Sequence, residues 1–400
     1  MSKVIYVDNN ATTRVHPEVR DAMLPYLTEL YGNPSSMHSF GGAVEKDFKK
    51  ARQQVASLLG CDPNEVVFTS CGTESNNTAI RGTLEQYPNK KHIITTKVEH
   101  PAVLNVFEYL ESKGYQATYL DVDEKGQIDL DQLAKALRSD TAMVSVMYAN
   151  NETGVIFPIE EIGKLVKAAG AVFHVDAVQA VGKIPLNLKT STIDLLSISG
   201  HKLHAPKGIG ALYVKRGTKL RPYLLGGHQE KGRRAGTENI PSIVALGMAC
   251  EIAQKNIENE NTKVKELRDY LEAGILKAAS NARVNGDRLN RLPNTTNISF
   301  EYIEGEAILL LLDQLGIAAS SGSACTSGSL EPSHVLRAMK VPFTCAHGSI
   351  RFSLSVYNTK EEADYIIENI GKIIEKLRVI SPFGQNKKSE WLEQQQAVHG

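Results

Sequence analysis

The stretch VFHVDAVQAVGKIPLNLKTSTIDLLSISGHKLHAPKG, residues 172–208, decides the fold of this 400-residue chain. It holds two short apolar runs, VFHVDA (172–177) and LLSIS (195–199), and each leads into small or polar residues that suit a turn. Runs of this kind predict strands buried on both faces, as in a parallel sheet covered by helices. Ligands bind beyond the carboxyl ends of such strands. Asp176 and Lys202, which follow the two runs, are therefore the first candidates for a functional site.

The same pattern extends on both sides of this stretch. Further strand-like runs are EVVFTS (65–70), HIITTKV (92–98), MVSVMYA (143–149) and GALYV (210–214). Apolar residues at helical spacing separate several of them, for example between Glu45 and Leu59 and in IEEIGKLVKAAG, which ends at Gly170. Strands that alternate with helices predict an α/β fold with a mostly parallel sheet flanked by helices.

The pattern changes beyond residue 255. The segment NIENENTKVKELRDYLEAGILKAA predicts a long charged helix with one apolar face, and Thr359 and Glu362 form a capping-box pattern before another helix. This part of the chain is typical of an α+β unit. We expect three segments: a large α/β domain (15–255), a smaller α+β domain (1–14 and 256–380) and a polar mobile tail (381–400).

Composition argues against several classes of protein. Lys and Arg number 45 and Asp and Glu number 45, so charge gives no reason to expect nucleic acid or an anionic membrane as partner. The most apolar run, Ala307 to Leu312, is far shorter than the ~20 residues that span a bilayer, and no signal peptide is readable. Five cysteines without C-x-x-C pairs or metal-ligand spacing fit a reducing compartment. We expect a cytoplasmic enzyme with a small substrate.

Three further strand ends carry polar motifs. CGTESNN (71–77) opens a predicted helix, where backbone N–H groups can bind a phosphate, although Thr73 would also serve as an ordinary N-cap. His100, fixed by the following proline, can stack on an aromatic ligand, shuttle protons or simply hydrogen-bond within a loop. NNETG (150–154) combines turn residues with several side-chain donors. Each signal is weak when taken singly.

Asp176 and Lys202 are more informative as a pair. A carboxylate at the end of a buried strand is costly unless it is paired, and a protonated ring nitrogen is one possible partner, a helix N-cap another. A lysine between glycine and proline turns can act as an amine that forms a Schiff base with an aldehyde. Together at successive strand ends, the two residues are similar to a pyridoxal phosphate site, in which a lysine holds the aldehyde and a carboxylate the pyridinium nitrogen.

A cysteine and an arginine stand out in the second half of the chain. AASSGSACTSGS (318–329) has the composition of a mobile loop and carries Cys325 at its centre, where a core-filling role explains a cysteine poorly. Arg351 opens the strand-like RFSLS and can clamp a substrate carboxylate or form a surface ion pair. Cys250 fits a buried helix. The other cysteines, for which we expect structural roles, are Cys61, Cys71 and Cys345.

As an ordered set, the motifs resemble the pyridoxal-phosphate-dependent cysteine desulfurases of aminotransferase class V, fold type I, up to about residue 380. The matching motifs are DNNATT (8–13), GNPSS (32–36), SCGTES (70–75), EHPAV (99–103), NNETG (150–154), DAVQAVGK (176–183), SGHKLHAPKG (199–208), RRAGTEN (233–239) and SSGSACTSGSLEPSHVLRAM (320–339). DNNATT and HKLHAPKG are similar to the nitrogen-fixation (nif-type) branch rather than the housekeeping branch.

The resemblance implies a role for each matching residue. Lys202 would hold the cofactor as a Schiff base, Asp176 would pair with its pyridine nitrogen, and His100 would stack on its ring and move protons. The other implied cofactor contacts are Gln179 at the phenolate oxygen, Asn151 beside the ring, Gly72, Thr73, Ser199, Gly200 and His201 around the phosphate, and Thr237 at the phosphate of the neighbouring subunit in a homodimer. Arg351 and Asn151 would bind the substrate carboxylate, and Cys325 would be the nucleophile.

The implied activity is conversion of L-cysteine to L-alanine with transfer of its sulfur to a persulfide on Cys325. An iron–sulfur scaffold protein would accept the sulfur, for nitrogenase in the nif-type branch, and Cys325 would also ligate a transient [2Fe–2S] cluster shared with that scaffold. Other functions stay open at this point: a housekeeping desulfurase, a class V aminotransferase, a selenocysteine lyase, or a non-catalytic factor that carries sulfur loaded by another protein.

Overall fold

The computed structural model describes residues 4–321 and 332–381. Cys325 and most of the Gly/Ser-rich loop around it lie outside the described residues, as does the tail beyond residue 381. The two predicted roles of Cys325, as nucleophile and as iron ligand, therefore stay predictions.

Seven of the described strands form one central sheet. The strands are β1 (Ile5–Tyr6), β2 (Val66–Thr69), β3 (His92–Thr96), β4 (Gln116–Leu120), β5 (Thr141–Met147), β6 (Val172–Asp176), β7 (Leu195–Ser199), β8 (Gly210–Val214), β9 (Ala282–Val284), β10 (Thr295–Phe300), β11 (Ile317–Ala318) and β12 (Ser349–Ser353). The order in the central sheet is β2-β8-β7-β6-β5-β3-β4, and only β8 runs antiparallel to its neighbours. The predicted mostly parallel sheet is thus confirmed.

Helices cover both faces of this sheet, because successive side chains of a strand point to opposite faces. Ile93 and Leu195 join a hydrophobic cluster on one face, whereas their neighbours Ile94 and Leu196 join a larger cluster on the other. The helices are α1 (Pro17–Met23), α2 (Pro25–Thr28), α3 (Ser39–Leu59), α4 (Gly72–Leu84), α5 (Pro101–Glu111), α6 (Leu130–Ala136), α7 (Ile159–Ala168), α8 (Ile240–Asn259), α9 (Lys265–Ala278), α10 (Gly305–Gln314), α11 (His334–Ala338), α12 (Phe343–Ala346) and α13 (Lys360–Ile380). None of these described helices has both the length and the apolar character needed to cross a membrane.

A second hydrophobic core forms around β9, β10 and β12. These strands pair antiparallel with β10 in the middle, and α9, α10 and α13 contribute most of the other buried side chains. Val7 belongs to the same cluster, and Asp8 pairs with Ser353 of β12, so the N-terminal segment packs with the C-terminal part of the chain. The domain boundaries stay a prediction, and the one at residue 255 falls within α8, which a single π-helical turn (Glu260–Val264) joins to α9.

The helix ends follow the sequence signals in most places. The capping box predicted at α13 is present, since the Thr359 hydroxyl accepts from Glu362 N and the Glu362 carboxylate accepts from Thr359 N. Gly60 ends α3 in a left-handed conformation at φ 63°, as its position in the sequence predicts. At α4 the N-cap is Cys71 and not Thr73, because the extended residue precedes Gly72 and its sulfur accepts from Glu74 N.

A buried ion pair is the expected weak point of the second core. Glu272 and Arg291 meet at 2.6 Å, and both side chains are 3% exposed. We predict that Glu272→Ala lowers the free energy of unfolding by about 3–5 kcal/mol, because it leaves the arginine charge buried without its carboxylate. Urea unfolding followed by fluorescence and circular dichroism measures the change. The control Glu368→Ala, which breaks an exposed ion pair with Lys372, should cost less than about 1 kcal/mol; equal losses would contradict the prediction.

Candidate active site

The carboxyl ends of β3, β5, β6 and β7 meet at one cavity of about 290 Å³. The start of α4 and the segment before α1 complete its walls. The residues predicted from the sequence that line it are Gly72, Thr73, His100, Asn151, Asp176, Gln179, Ser199, His201, Lys202 and Arg351. Gly200 lies in the 3-10 turn (Gly200–Lys202) that joins β7 to the lysine. Residues that are distant in sequence thus share one site because the parallel strands bring their ends together.

Asp176 ends β6 and is held from two sides. Its Oδ2 accepts from Asn76 Nδ2 at 2.7 Å, and its Oδ1 accepts from Val178 N at 3.0 Å. The side chain is largely buried, and these two donors hold both carboxylate oxygens in place. Asn76 was not among the residues predicted from the sequence. Its position four residues after Gly72, on one face of α4, was the available signal.

Lys202 reaches the cavity from the turn after β7. Its Nζ donates to the backbone carbonyls of Asn10 and Ala11 at 2.5 and 2.6 Å. Both carbonyls belong to the segment that joins β1 to α1, so residues from the far N-terminus fix the amine. The DNNATT motif carried the resemblance, but its residues had no assigned role. Two carbonyl acceptors keep the amine within the cavity without neutralising it.

The start of α4 provides a place for an anion. Gly72 is needed there, since a Cβ on it would lie 2.8 Å from Val178 Cγ2 and 3.4 Å from Ser199 Cβ. The first N–H groups of this 13-residue helix carry the positive end of its dipole. Cys71, for which we expected a structural role, caps the helix and also lines the cavity.

The histidines of the cavity are neutral near pH 7. Burial lowers the pKa of His100, while Asp176 opposes that change and Lys202 adds to it. His100 Nδ1 accepts from Ala102 N at 3.1 Å, so a neutral ring carries its proton on Nε2. Burial, with the charge of Lys202, lowers the pKa of His201 to about 4. Neither ring therefore adds a positive charge to the cavity near pH 7.

Arg351 approaches from β12 with its guanidinium buried. Nη2 donates to Asp8 Oδ1 at 2.6 Å and Nη1 to the Asn151 carbonyl at 2.9 Å. Among the described residues, no acceptor lies at Nε. Asp8 was not predicted as a functional residue. A fixed guanidinium on the cavity wall is suited to a carboxylate ligand.

Thr237 does not reach this cavity. It is exposed and lines a separate cavity of about 150 Å³ together with Ser70 and Arg234. Arg234 pairs there with Glu74 of α4, with 2.9 Å between Nε and Oε1. The RRAGTEN segment therefore packs on the outer side of the helix that begins at the site.

Glu99 is a buried carboxyl that the sequence analysis did not assign. Its Oε1 accepts from Thr96 Oγ1 at 2.7 Å and from Met147 N at 3.1 Å, and no described residue bonds Oε2. Burial raises the pKa of Glu99 to about 8 against these hydrogen bonds, and Asp176 contributes in the same direction. The one sequence signal for Glu99 was its position directly before His100 in the EHPAV motif.

The cavity fits the predicted cofactor, pyridoxal phosphate. Lys202 provides the amine, Asp176 an oriented carboxylate, and the cradle at Gly72 the anion site. These three groups match the aldehyde, the ring nitrogen and the phosphate of one molecule, with Arg351 left for a substrate. The described residues contain no group of three or more His, Cys, Asp or Glu arranged to hold a metal ion.

Comparison with known proteins gives consistent matches over nearly the whole chain. The Aminotransferase class-V family model matches residues 5–366. Cysteine desulfurase of Trichormus azollae is 64% identical, over 98% of this chain and 98% of that protein. Cysteine desulfurase NifS of Azotobacter vinelandii is 61% identical, over 95% of this chain and 94% of that protein. A solved NifS-like protein superposes with a TM-score of 0.89 at 41% identity, covering 94% of this chain and 100% of that one.

Glu99 yields a prediction on stability and pH. Its pKa is higher in the folded chain, about 8, than the ordinary value of 4.5. The stability that the protonated carboxyl contributes is therefore complete below about pH 4.5 and is lost as the pH rises through about 8. Glu99→Gln does not titrate, so its free energy of unfolding should improve relative to the wild type between about pH 5 and pH 9.

Urea unfolding of both proteins across this pH range tests the prediction. The exposed residue Glu124 supplies the control variant Glu124→Gln, for which no such trend is expected. A difference between wild type and Glu99→Gln that stays constant with pH would show that Glu99 is ionised in the folded protein.

Proposed function

The chain belongs to the aminotransferase class-V family as a pyridoxal-phosphate-dependent cysteine desulfurase, and we propose that it carries the sulfur of L-cysteine on Cys325 to a partner that assembles iron–sulfur clusters. The observation that carries the activity in this chain is one cavity lined by Lys202, Asp176 and Arg351 together. An amine for an aldehyde, a carboxylate for a ring nitrogen and a guanidinium for a carboxylate are the three groups that an amino-acid-converting pyridoxal phosphate site needs.

The residues that would hold the cofactor are those of the cavity wall. Lys202 takes the aldehyde, Asp176 the pyridine nitrogen, His100 the ring face, and Gln179 the phenolate oxygen. The phosphate would be held at the start of α4, where the implied contacts are Gly72, Thr73, Ser199, Gly200 and His201. Bound there, pyridoxal phosphate supplies an electron sink for the carbanion that forms at the substrate α-carbon. The Asn76 bond to Asp176 keeps the carboxylate aimed at the ring nitrogen.

Arg351 and Asn151 orient the amino acid. The guanidinium is already fixed by Asp8 and by the Asn151 carbonyl, so it binds the substrate carboxylate with little loss of side-chain entropy. Lys202 Nζ would be the base that takes the α-proton of the bound substrate. His100 enters neutral, and because its Nδ1 accepts from Ala102 N, Nε2 is the nitrogen that can donate a proton. Substrate orientation and proton transfer thus come from the two sides of one cavity.

Cys325 would accept the substrate sulfur. Its thiolate attacks the sulfur of the cysteine substrate, an S–S bond forms, and the bond from sulfur to the β-carbon breaks with its electrons left on carbon. Protons return to the α- and β-carbons, which gives alanine. A persulfide remains on Cys325, and a thiol of the acceptor or an external reductant then removes its outer sulfur.

The described ends of the Cys325 loop support this assignment. Before the loop, Ser320 pairs with Arg351 through the backbone. After it, Ser333 Oγ donates to the buried Glu152 at 2.5 Å, and the His334 ring bonds the Glu99 carbonyl at 2.9 Å. Both attachment points thus lie beside cavity residues. This position of the described residues on either side of the loop supports the proposal that Cys325 serves the site.

The acceptor that we propose is an iron–sulfur scaffold protein serving nitrogenase, with a transient [2Fe–2S] cluster shared through Cys325. The nif-type motifs DNNATT and HKLHAPKG and the similarity to NifS of Azotobacter vinelandii support this choice. The reaction takes place in the cytoplasm in this proposal, in keeping with the cysteine usage.

A homodimer is part of the same proposal. Thr237 is exposed and lies away from the cavity of its own protomer, so a hydroxyl there is free to reach the phosphate in the partner. Large apolar side chains are also exposed over residues 24–40 and at Leu225. Apolar surface of this kind is typical of protein–protein interfaces.

The proposed sulfur transfer is tested by the variant Cys325→Ala. We expect wild-type protein with L-cysteine and a reductant to form alanine and sulfide in equal amounts. The variant should lose both products on the order of a hundredfold or more, because the accepting thiolate is gone. Paired alanine and sulfide assays measure the effect.

Cys61→Ala is the matched control, since Cys61 is buried in the main core. This variant should keep near wild-type rates. Retained desulfuration by Cys325→Ala would remove the persulfide step and favour a lyase, whereas an absence of alanine from every protein would overturn L-cysteine as substrate.

The proposed homodimer predicts that Thr237 of one subunit supports cofactor binding in the other. Thr237→Ala should weaken cofactor binding at least about tenfold, through loss of a hydrogen bond to a charged group. Coexpression with Lys202→Ala chains, whose Thr237 is intact, should restore tight binding at Lys202 of the Thr237→Ala chains in mixed dimers. Only these chains can form the coloured lysine adduct, so visible absorption reports on them alone. Failure to restore binding in isolated mixed dimers would place Thr237 in its own protomer's site or outside any site.

A further inference from the structure

We propose that Lys183 is a positioning residue for the cofactor site, where its ammonium group fixes the orientation of the Gln179 amide so that the NH₂ end serves as the donor at the cavity. This inference rests on the function proposed above, in which Gln179 contacts the phenolate oxygen of pyridoxal phosphate. Lys183 itself does not line the 290 Å³ cavity that holds Lys202, and it acts through Gln179.

The contact between Lys183 and Gln179 identifies the oxygen end and the nitrogen end of the Gln179 amide. Lys183 Nζ lies 3.2 Å from Gln179 Oε1. An ammonium group has three donors and no acceptor, so the atom that faces it must be the amide oxygen. The reverse orientation would set the amide NH₂ against the ammonium and leave both without an acceptor there. Lys183 therefore selects one of the two amide orientations.

The other end of the amide joins the site. Gln179 Nε2 donates to the Asn10 carbonyl at 3.0 Å, and the same carbonyl accepts from Lys202 Nζ at 2.5 Å. A continuous set of hydrogen bonds thus runs from Lys183 through Gln179 and Asn10 to the reactive amine. A change at Lys183 can reach Lys202 without contact between the two lysines.

Burial indicates that this lysine is not an ordinary surface charge. Lys183 is 7% exposed and lines a small cavity of about 40 Å³ with Glu260, which is also buried. Burial lowers the pKa of Lys183 to about 8, and Glu260 opposes the change. Glu260 lies in the π-helical turn between α8 and α9, and burial raises its own pKa to about 7, a change that Lys183 opposes. Asn261 bonds only the backbone carbonyl of Lys183, so that contact survives a side-chain substitution.

The orientation matters for the acidity of the lysine-bound cofactor. A donor at the phenolate oxygen stabilises its negative charge and so makes the neighbouring imine nitrogen less basic. With Lys183 removed, only the Asn10 carbonyl still fixes the amide, so its NH₂ end is held less firmly as the donor at the phenolate oxygen. The pKa of the lysine–cofactor adduct should then rise.

The test is a pH titration of the visible absorption of holoenzyme, which does not depend on turnover. Lys183→Met should raise the apparent pKa of the adduct by about one unit or more. Lys183→Arg, which keeps a charged donor, should restore most of the wild-type value. Lys189→Met removes an exposed lysine nearby and should change nothing. Melting of each apoprotein checks the fold independently.

A double-mutant cycle distinguishes a positioning role from general destabilisation. In a Gln179→Ala background, where no amide remains to orient, Lys183→Met should cause no further shift. If Lys183→Met does not fold, Lys183→Met with Glu260→Gln removes both buried charges together and should still show the raised pKa.

Two results would overturn the inference. One is an unchanged titration in folded Lys183→Met, and the other is an equal shift with and without Gln179. Wild-type protein that forms no coloured adduct with pyridoxal phosphate would overturn the proposed function itself, and the inference with it.

Discussion

The site depends on two hydrogen bonds, which Lys202 Nζ donates to the backbone carbonyls of Asn10 and Ala11. They join the turn after β7 to a segment that also contacts the second core. Asn10 Nδ2 bonds Thr295 of β10, and Asp8 of the same segment pairs with Arg351 of β12. The Lys202 amine and the Arg351 guanidinium are thus fixed by one short stretch of the chain, so their relative positions depend on the packing of both cores.

Burial supplies the electrostatics of this site. Because water is largely excluded, each charge needs a protein partner, and the structure provides one for Asp176 in Asn76 and for Arg351 in Asp8. The same exclusion keeps His100 neutral and Glu99 protonated near pH 7. Burial thus leaves His100 and Glu99 uncharged, while Asp176 and Arg351 are held by protein partners.

The sequence predicted the sheet and the strand-end residues because both follow from local patterns. Apolar runs such as VFHVDA define strands, and a polar residue directly after a run must lie at the strand's carboxyl end. The partners of these residues could not be predicted in this way. Asn76 meets Asp176 from 100 positions away, and Asp8 meets Arg351 from 343, which only packing of distant segments brings about. The N-cap at Cys71 was also missed, since thiols are weak caps and Thr73 is the commoner type.

We propose that the cavity built on Lys202 delivers the sulfur of L-cysteine to Cys325. Mass spectrometry of protein treated with L-cysteine in the absence of reductant, after alkylation and digestion, detects this transfer. We expect one additional sulfur atom on the peptide that contains Cys325, and none on the peptides of Cys61, Cys71, Cys250 or Cys345. Alanine formed in the same sample with the Cys325 peptide unmodified would rule out the transfer.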